Sequence, residues 1–212
     1  KDRIGGSDAA ACLGQHPYKD NVALWEEKMG ITMPEDISDK DYVQYGTEAE
    51  FHLRALFAMD FPEYQVFYDE NNMFTNDAYP WMHASLDGEL VDKYGFDLDP
   101  AQKVYKYGRR GILEIKTTNI MQGMQRAKWD NRIPDNYYCQ VLHYLAVTGY
   151  EFAVLKAQLK SDWDGELQLT TKHYQIERKD VEEEICYLVD AERKLWDCVK
   201  AGRRPWLILP AT

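Results

Sequence analysis

Three residues of this chain have the types and spacing that phosphodiester chemistry requires. They are Asp87 in Ser85-Leu-Asp-Gly88, and Glu114 and Lys116 in Gly111-Ile-Leu-Glu-Ile-Lys-Thr117. Side chains alternate along an extended segment, so Glu114 and Lys116 share one face while Leu113 and Ile115 point to the other, towards a core. Paired carboxylates are oxygen ligands for a hard divalent cation, Mg²⁺ first and Mn²⁺ as the alternative. An amine beside them can orient an attacking water and stabilise charge on phosphorus. Glu-x-Lys alone is common on strands as a solvated ion pair of little consequence. Its meaning comes from the company it keeps.

The chain has 212 residues, which fits one large domain over 1–212, and 45% of them are hydrophobic and spread throughout. No apolar run approaches the roughly 20 residues of a membrane span. The chain opens Lys1-Asp2-Arg3 without a secretory pattern, and the lack of an initiator Met reads as a truncated start. None of the four cysteines (Cys12, Cys139, Cys186, Cys198) forms a C-x-x-C pair. That argues against a zinc or iron–sulfur site and for reduced thiols in a cytoplasmic setting. The net charge of −11, from 25 Lys and Arg against 36 Asp and Glu, argues against a protein that coats nucleic acid non-specifically. It is compatible with a nuclease that confines its positive charge to one groove. The local basic segments are Arg109-Arg110, Arg126-Ala-Lys128 and Arg203-Arg204, each of which reads singly as solvated surface.

The elements that must position the three residues follow from turn and cap signals. Ser7 is placed to cap a short helix through Cys12 that Gly14 closes. A second helix is expected from Asn21 to Lys28, ending at Gly30. Residues 31–45 read as a polar connection, and Gly46-Thr47 starts a longer helix with Leu53, Leu56 and Phe57 on one face. Residues 64–68 and 72–75 read as short extended pieces. His83 to Val91 reads as a strand with Gly111 to Thr117 as its partner, and the stretch between, including Asp97-Leu-Asp-Pro100, as a long loop. Pro134-Asp135 opens a helix from Asn136 to Thr148, ended by Gly149. Residues 150–160 and 166–177 alternate around Asp162-Trp-Asp-Gly165, a hairpin signature. Lys179 to Ala201 carries an apolar stripe at helical spacing, from Val181 to Val199. The order predicts an α/β fold with a mixed, largely antiparallel central sheet flanked by helices.

Further candidates lie on the helices: Glu50 in Gly46-Thr-Glu-Ala-Glu50, Gln140 with His143 and Tyr144 one turn on, and Ser7 at a helix N-terminus, a natural anion site. Each has a plain structural reading. Glu50 can pair with Arg54, Gln140 can be surface, Tyr144 core, and Ser7 only a cap. Together, however, the pieces fall in a known order. Gly5-Gly-Ser-Asp-Ala-Ala10, Leu13-Gly14, Pro17-Tyr18 and Leu24-Trp25-Glu26 come first. Gly46-Thr-x-x-Glu50, Trp81-Met-His-Ala-Ser-Leu-Asp-Gly88, Leu113-Glu-Ile-Lys116, Tyr138-x-Gln-Val-x-His143 and Val147-Thr-Gly149 follow. From Ile4 to about Leu155 the chain resembles the YqaJ-type viral recombinase family, relatives of phage lambda exonuclease within the PD-(D/E)xK nuclease superfamily.

The resemblance implies a restriction-endonuclease-like core and roles for matching positions. Asp87 and Glu114 match metal-binding carboxylates, the carbonyl of Ile115 a further ligand, and Lys116 the catalytic lysine. Glu50 matches a helix glutamate acting on a second metal or its waters. Gln140 matches the glutamine that supports the lysine and the nucleophilic water. Ser7 and Ser85 match residues that grip a terminal 5′-phosphate. Leu86 stands where the superfamily has proline. The family's phosphate-binding arginine, seven residues before the motif serine, falls outside this chain, and Arg3 is not its equivalent. The implied activity is Mg²⁺-dependent 5′→3′ digestion of double-stranded DNA ends in phage-type recombination, in the cytoplasm of a bacterial host. The implied assembly is a trimeric ring, with a single-strand annealing protein as a partner. A structure-specific or restriction-type endonuclease on the same core and a catalytically silent DNA-binding module are the alternatives.

Overall fold

The computed structural model describes residues 3–93, 98–99, 104–105, 108–121, 123–163 and 165–209. The strands are β1 (Tyr64–Phe67), β2 (Gly88–Asp92), β3 (Leu98–Asp99), β4 (Val104–Tyr105), β5 (Arg110–Asn119), β6 (Phe152–Trp163) and β7 (Glu166–Glu177). Five of them form a sheet in the order β1-β2-β5-β6-β7, and β3 with β4 makes a separate ribbon. All neighbours in the sheet are antiparallel except β5 and β6, which run parallel. Parallel strands need a crossover rather than a tight turn. Here α4 (Gly123–Ala127) and α5 (Asp135–Thr148) supply it. The remaining helices are α1 (Gly6–Cys12), α2 (Asn21–Met29), α3 (Asp41–Asp60) and α6 (Glu182–Lys200).

Strand β5 is covered on both faces, so residues 111–115 are buried without a break. Leu113 and Ile115 pack with Leu53 and Phe57 of α3 on one side. Ile112 joins the larger core on the other, with Val141 and Leu145 of α5, Leu155 and Ala157 of β6, and Ile185 and Leu188 of α6. Helix α5 is buried continuously from Cys139 to Val147 because it lies among the sheet, α1 and α6. Gly6 makes the α1 contact possible: a Cβ there would come within 2.4 Å of the Tyr144 ring. Asp20 caps α2 by accepting from the N–H groups of Val22 (2.9 Å) and Ala23 (2.7 Å), and α2 ends at Gly30 with φ 73°.

The structure corrects several expected elements. Ser7 is not the cap of α1; Gly5 holds that position, and the Asp8 carboxylate accepts the Gly5 N–H at 3.2 Å. Helix α3 begins at Asp41, five residues before Gly46, because Tyr45 has tertiary partners: its hydroxyl donates to Gln158 (2.7 Å) and Lys160 lies 3.3 Å above its ring. The strand expected over 83–91 is regular only from Gly88. Before it, backbone groups are taken by Ile4 and Phe74 instead of by β5. Of residues 72–75 only Phe74 is bridged, to Ala84. Within the expected loop, Leu98–Asp99 pairs with Val104–Tyr105, while Asp97 and Pro100 lie outside the described residues. A 3₁₀ turn at Arg178–Asp180 precedes α6, and α4 is too short to have shown a period. Among the described residues no helix is long and apolar enough to cross a membrane.

Candidate active site

Asp87 stands at the head of β2 and is fixed by the sheet itself. The ladder pairs Gly88 with Leu113, so one step further places Asp87 opposite Glu114. Asp87 continues the ladder with its side chain: Oδ2 accepts the Ile115 N–H at 2.7 Å. Its carbonyl accepts from Nε of Arg54 on α3. Glu114 and Lys116 lie on one face of β5, as alternation requires, with Lys116 Nζ 2.7 Å from Glu114 Oε1. The Glu114 side chain is 1% exposed and its Oε2 is buried with no hydrogen-bond partner. Lys116 Nζ also sits 5.1 Å from the centre of the Tyr137 ring, and Tyr137 stacks on buried Trp129.

The electrostatics follow from crowding acids away from water. Burial, with Asp87 adding repulsion, pushes the Glu114 carboxyl up to about 8. Burial raises Asp87 as well, against the pull of Lys116, the Ile115 N–H and Arg54. Glu50 is raised by burial and then by Asp87, which places it in the same cluster. Burial alone would lower Lys116, but Glu114 and Asp87 outweigh it and hold the amine above its ordinary value. Three carboxylates thus share this site with two cations, Lys116 and Arg54.

The helix residues arrive with partners that sequence reasoning had only partly seen. Glu50 forms the i,i+4 pair with Arg54 on α3, so Arg54 bridges Glu50 to the Asp87 carbonyl while lying 3.4 Å above the Tyr68 ring. The role of Arg54 was missed although its spacing from Glu50 was visible. Gln140 on α5 gives its amide N–H to the Tyr144 hydroxyl at 2.9 Å. Burial, then Glu114, pushes that hydroxyl well up, so Tyr144 also borders the site. Tyr137, one turn before Gln140, had no signal beyond its place on the helix. Ser7 and Ser85 are both exposed, on segments tied together by hydrogen bonds from Ile4 N–H to the Trp81 carbonyl (2.7 Å) and from His83 N–H to the Ile4 carbonyl (3.0 Å). Of the basic segments, Arg109 pairs with Glu177 and Arg110 with Glu89, which removes both as free cations. Arg126 donates to Ser161 Oγ at 3.1 Å.

Among the described residues no three His, Cys, Asp or Glu side chains form a complete metal cage. The donor set nevertheless fits Mg²⁺, an ion held by one or two carboxylates together with water and substrate oxygens. Asp87 and Glu114 supply two carboxylates, and the unpartnered buried Oε2 of Glu114 is an acceptor with no cation or N–H of its own.

Comparison with known proteins places the chain and its fold. The YqaJ-like viral recombinase domain matches residues 1–151. The uncharacterised protein YqaJ of Bacillus subtilis (strain 168) is 29% identical over 211 residues, which cover 96% of this chain and 56% of that protein. The chain therefore spans little more than half the length of this relative. An alkaline exonuclease of Laribacter hongkongensis superposes with a TM-score of 0.61 at 18% identity, covering 95% of this chain and 91% of its own. A phage-related exonuclease of Haemophilus somnus 129PT gives 0.54 at 14% identity, covering 94% and 96%. The mixed sheet flanked by helices is thus the α/β, restriction-endonuclease-like fold that these exonucleases share. The chain belongs to the YqaJ-like viral recombinase domain family.

Proposed function

We propose that this protein is a Mg²⁺-dependent deoxyribonuclease that digests double-stranded DNA from its ends, in the 5′→3′ direction. The observation that carries the reading is the convergence of Asp87, Glu114 and Lys116, with one buried oxygen of Glu114 left without a partner. Asp87, Glu114 and the Ile115 carbonyl would hold the ion, with Glu50 reaching it or its waters on release from Arg54. When bound, Mg²⁺ supplies charge neutralisation at phosphorus and a more acidic water.

The chain's own residues do the rest. Lys116, kept charged by Glu114 and Asp87, stabilises the negative charge that develops on the phosphoryl oxygens. Arg54 holds the Asp87 backbone in place. The Gln140–Tyr144 pair walls the Glu114 side of the site, and Tyr137 steadies the Lys116 amine. Ser7 and Ser85 offer hydroxyls to a terminal phosphate, which is the basis for end selection. A trimer would gather Arg126 and Lys128 of each subunit around one duplex, while the acidic remainder faces outward. A single-strand annealing protein is the partner such a product calls for.

The test is cleavage of linear and covalently closed circular duplexes, with Mg²⁺ or Mn²⁺ or with chelator. Mg²⁺-dependent loss of linear DNA only, faster for 5′-phosphate than for 5′-hydroxyl ends, is the expected result. Nicking of circles would make the protein an endonuclease on the same core. No cleavage of either, with duplex binding retained, would leave a binding module.

A further inference from the structure

A second buried ionisable group lies behind the site. His143 of α5 is fully buried, and both of its ring nitrogens are engaged. Nε2 lies 2.8 Å from the His83 carbonyl oxygen, and Nδ1 lies 2.8 Å from Oε1 of Glu192 on α6. A carbonyl oxygen only accepts, so Nε2 carries a proton and donates it. The proton between Nδ1 and Glu192 belongs to the pair wherever it resides, which leaves the pair neutral overall. Glu192 is itself fully buried, and the ring cannot turn without breaking one of the two bonds.

The backbone that His143 grips is the segment leading to Asp87. From Trp81 to Asp87 it has no regular ladder. Ile4 holds it at Trp81 and His83, and Phe74 holds it at Ala84. Among the described residues, side chains reach its carbonyls at two points, His143 on His83 and Arg54 on Asp87. One clamp comes from the α3 side of the sheet and the other from the α5 side. The five residues from His83 to Asp87 therefore run between two fixed carbonyls. Buried ion pairs contribute little net stability and are better at enforcing one arrangement over others.

We infer that His143, oriented by Glu192, is a positioning residue for Asp87: through the His83 carbonyl it sets where the Ser85-Leu86-Asp87 segment presents its side chains. The inference rests on the reading of Asp87 as part of the nuclease site. It gives a structural reason for a histidine at this place in α5 that touches none of the reacting groups.

Two substitutions separate clamp from filler. Glutamine at 143 places its amide nitrogen near the position of Nε2 and can still donate to the His83 carbonyl. Asparagine is shorter, so it can engage Glu192 but does not reach His83. The reporter is the Ile115 amide, which donates to the Asp87 carboxylate, followed by hydrogen exchange in the whole chain without DNA. The Leu155 amide in β6 serves as the measure of global stability. His143→Asn is expected to speed Ile115 exchange relative to Leu155 by about tenfold and to lower kcat by about tenfold with KM for duplex ends unchanged. His143→Gln is expected to stay near wild type in both. Ile115 exchange that follows Leu155 equally in the two variants would overturn the inference, as would identical behaviour of Asn and Gln. A wild-type protein without nuclease activity would remove the functional reading but leave the exchange comparison standing. Should His143→Asn fail to fold, His143→Gln decides: faster Ile115 exchange with a normal Leu155 amide overturns the assignment, and wild-type exchange supports it.

Discussion

Two buried ionisable groups flank the Trp81–Asp87 segment, and they are built on opposite terms. At His143 and Glu192 one acid meets one base at 2.8 Å. At Asp87, Glu114 and Glu50 three acids meet only Lys116 and Arg54; each cluster keeps one buried carboxylate oxygen without a hydrogen-bond partner, Oε2 of Glu192 in one and of Glu114 in the other, so the contrast lies in the ratio of acids to bases. A balanced buried pair is a structural device. An unbalanced one is costly in the free protein and persists where something positive completes it in use. The difference teaches which cluster to expect chemistry from, without appeal to motif.

Four measurements would break or sharpen this contrast. The largest effect is expected from Glu114→Ala or Asp87→Ala, which should lower Mg²⁺-supported cleavage by on the order of 10³-fold while leaving the fold intact. A variant that keeps wild-type turnover would end the distinction. Glu192→Ala should instead cost about 3–5 kcal/mol in denaturant unfolding, because it strands a buried partner. Little loss there would mean that the pair is not engaged in solution.

Smaller effects test the balance of charge. Adding Mg²⁺ at about 100 times its dissociation constant should stabilise wild type by about 2.7 kcal/mol, but not Glu114→Gln, as read by thermal shift. Equal shifts in both would place the ion elsewhere. Last comes pH. Burial would lower His143 on its own, but Glu192, the His83 carbonyl and Asp8 outweigh it and raise its pKa; Glu192 is raised by burial and Asp8 against the pull of His143. Both folded values exceed the unfolded ones, so stability falls with rising pH in two windows: from the unfolded glutamate value of 4.5 up through the folded Glu192 value, and from the unfolded histidine value of 6.5 up through the folded His143 value. Above about pH 6.5 stability should fall by up to about 1.4 kcal/mol per pH unit relative to His143→Gln, followed by urea unfolding. A flat difference between the two proteins would show that the pair does not hold its proton.

Local signals made much of this fold legible in the sequence. Gly30, Pro134 and Gly149 are cap and breaker residues, and α2 ends and α5 begins and ends where they dictate. Alternation correctly put Glu114 and Lys116 on one face of β5. The errors arose where tertiary contacts decide. Tyr45 extends α3 backwards through Gln158 and Lys160, and Ile4 and Phe74 take the backbone of 81–84 away from the sheet. Asp87, Glu114 and Lys116 could be singled out in advance from their types and spacing, and Glu50 only through the family resemblance; the fold brings the four together. Arg54 and Tyr137 could not be singled out, since each matters only through what the fold sets beside it.

The connection between β2 and β5 has a consequence for how this protein can change. It departs at Asp92 and returns at Arg110, while Asp87 and Glu114 lie at the other end of the β2–β5 ladder, Glu114 midway along β5. Four residues of strand put about 13 Å between them. A change in the length of this connection would therefore act at the end of the ladder away from the carboxylates, and loop-closure entropy grows by only about 0.6 kcal/mol per doubling of length. Evolution and protein engineering alike have an open port here: new recognition segments can be grafted into this connection without renegotiating the chemistry at the opposite end.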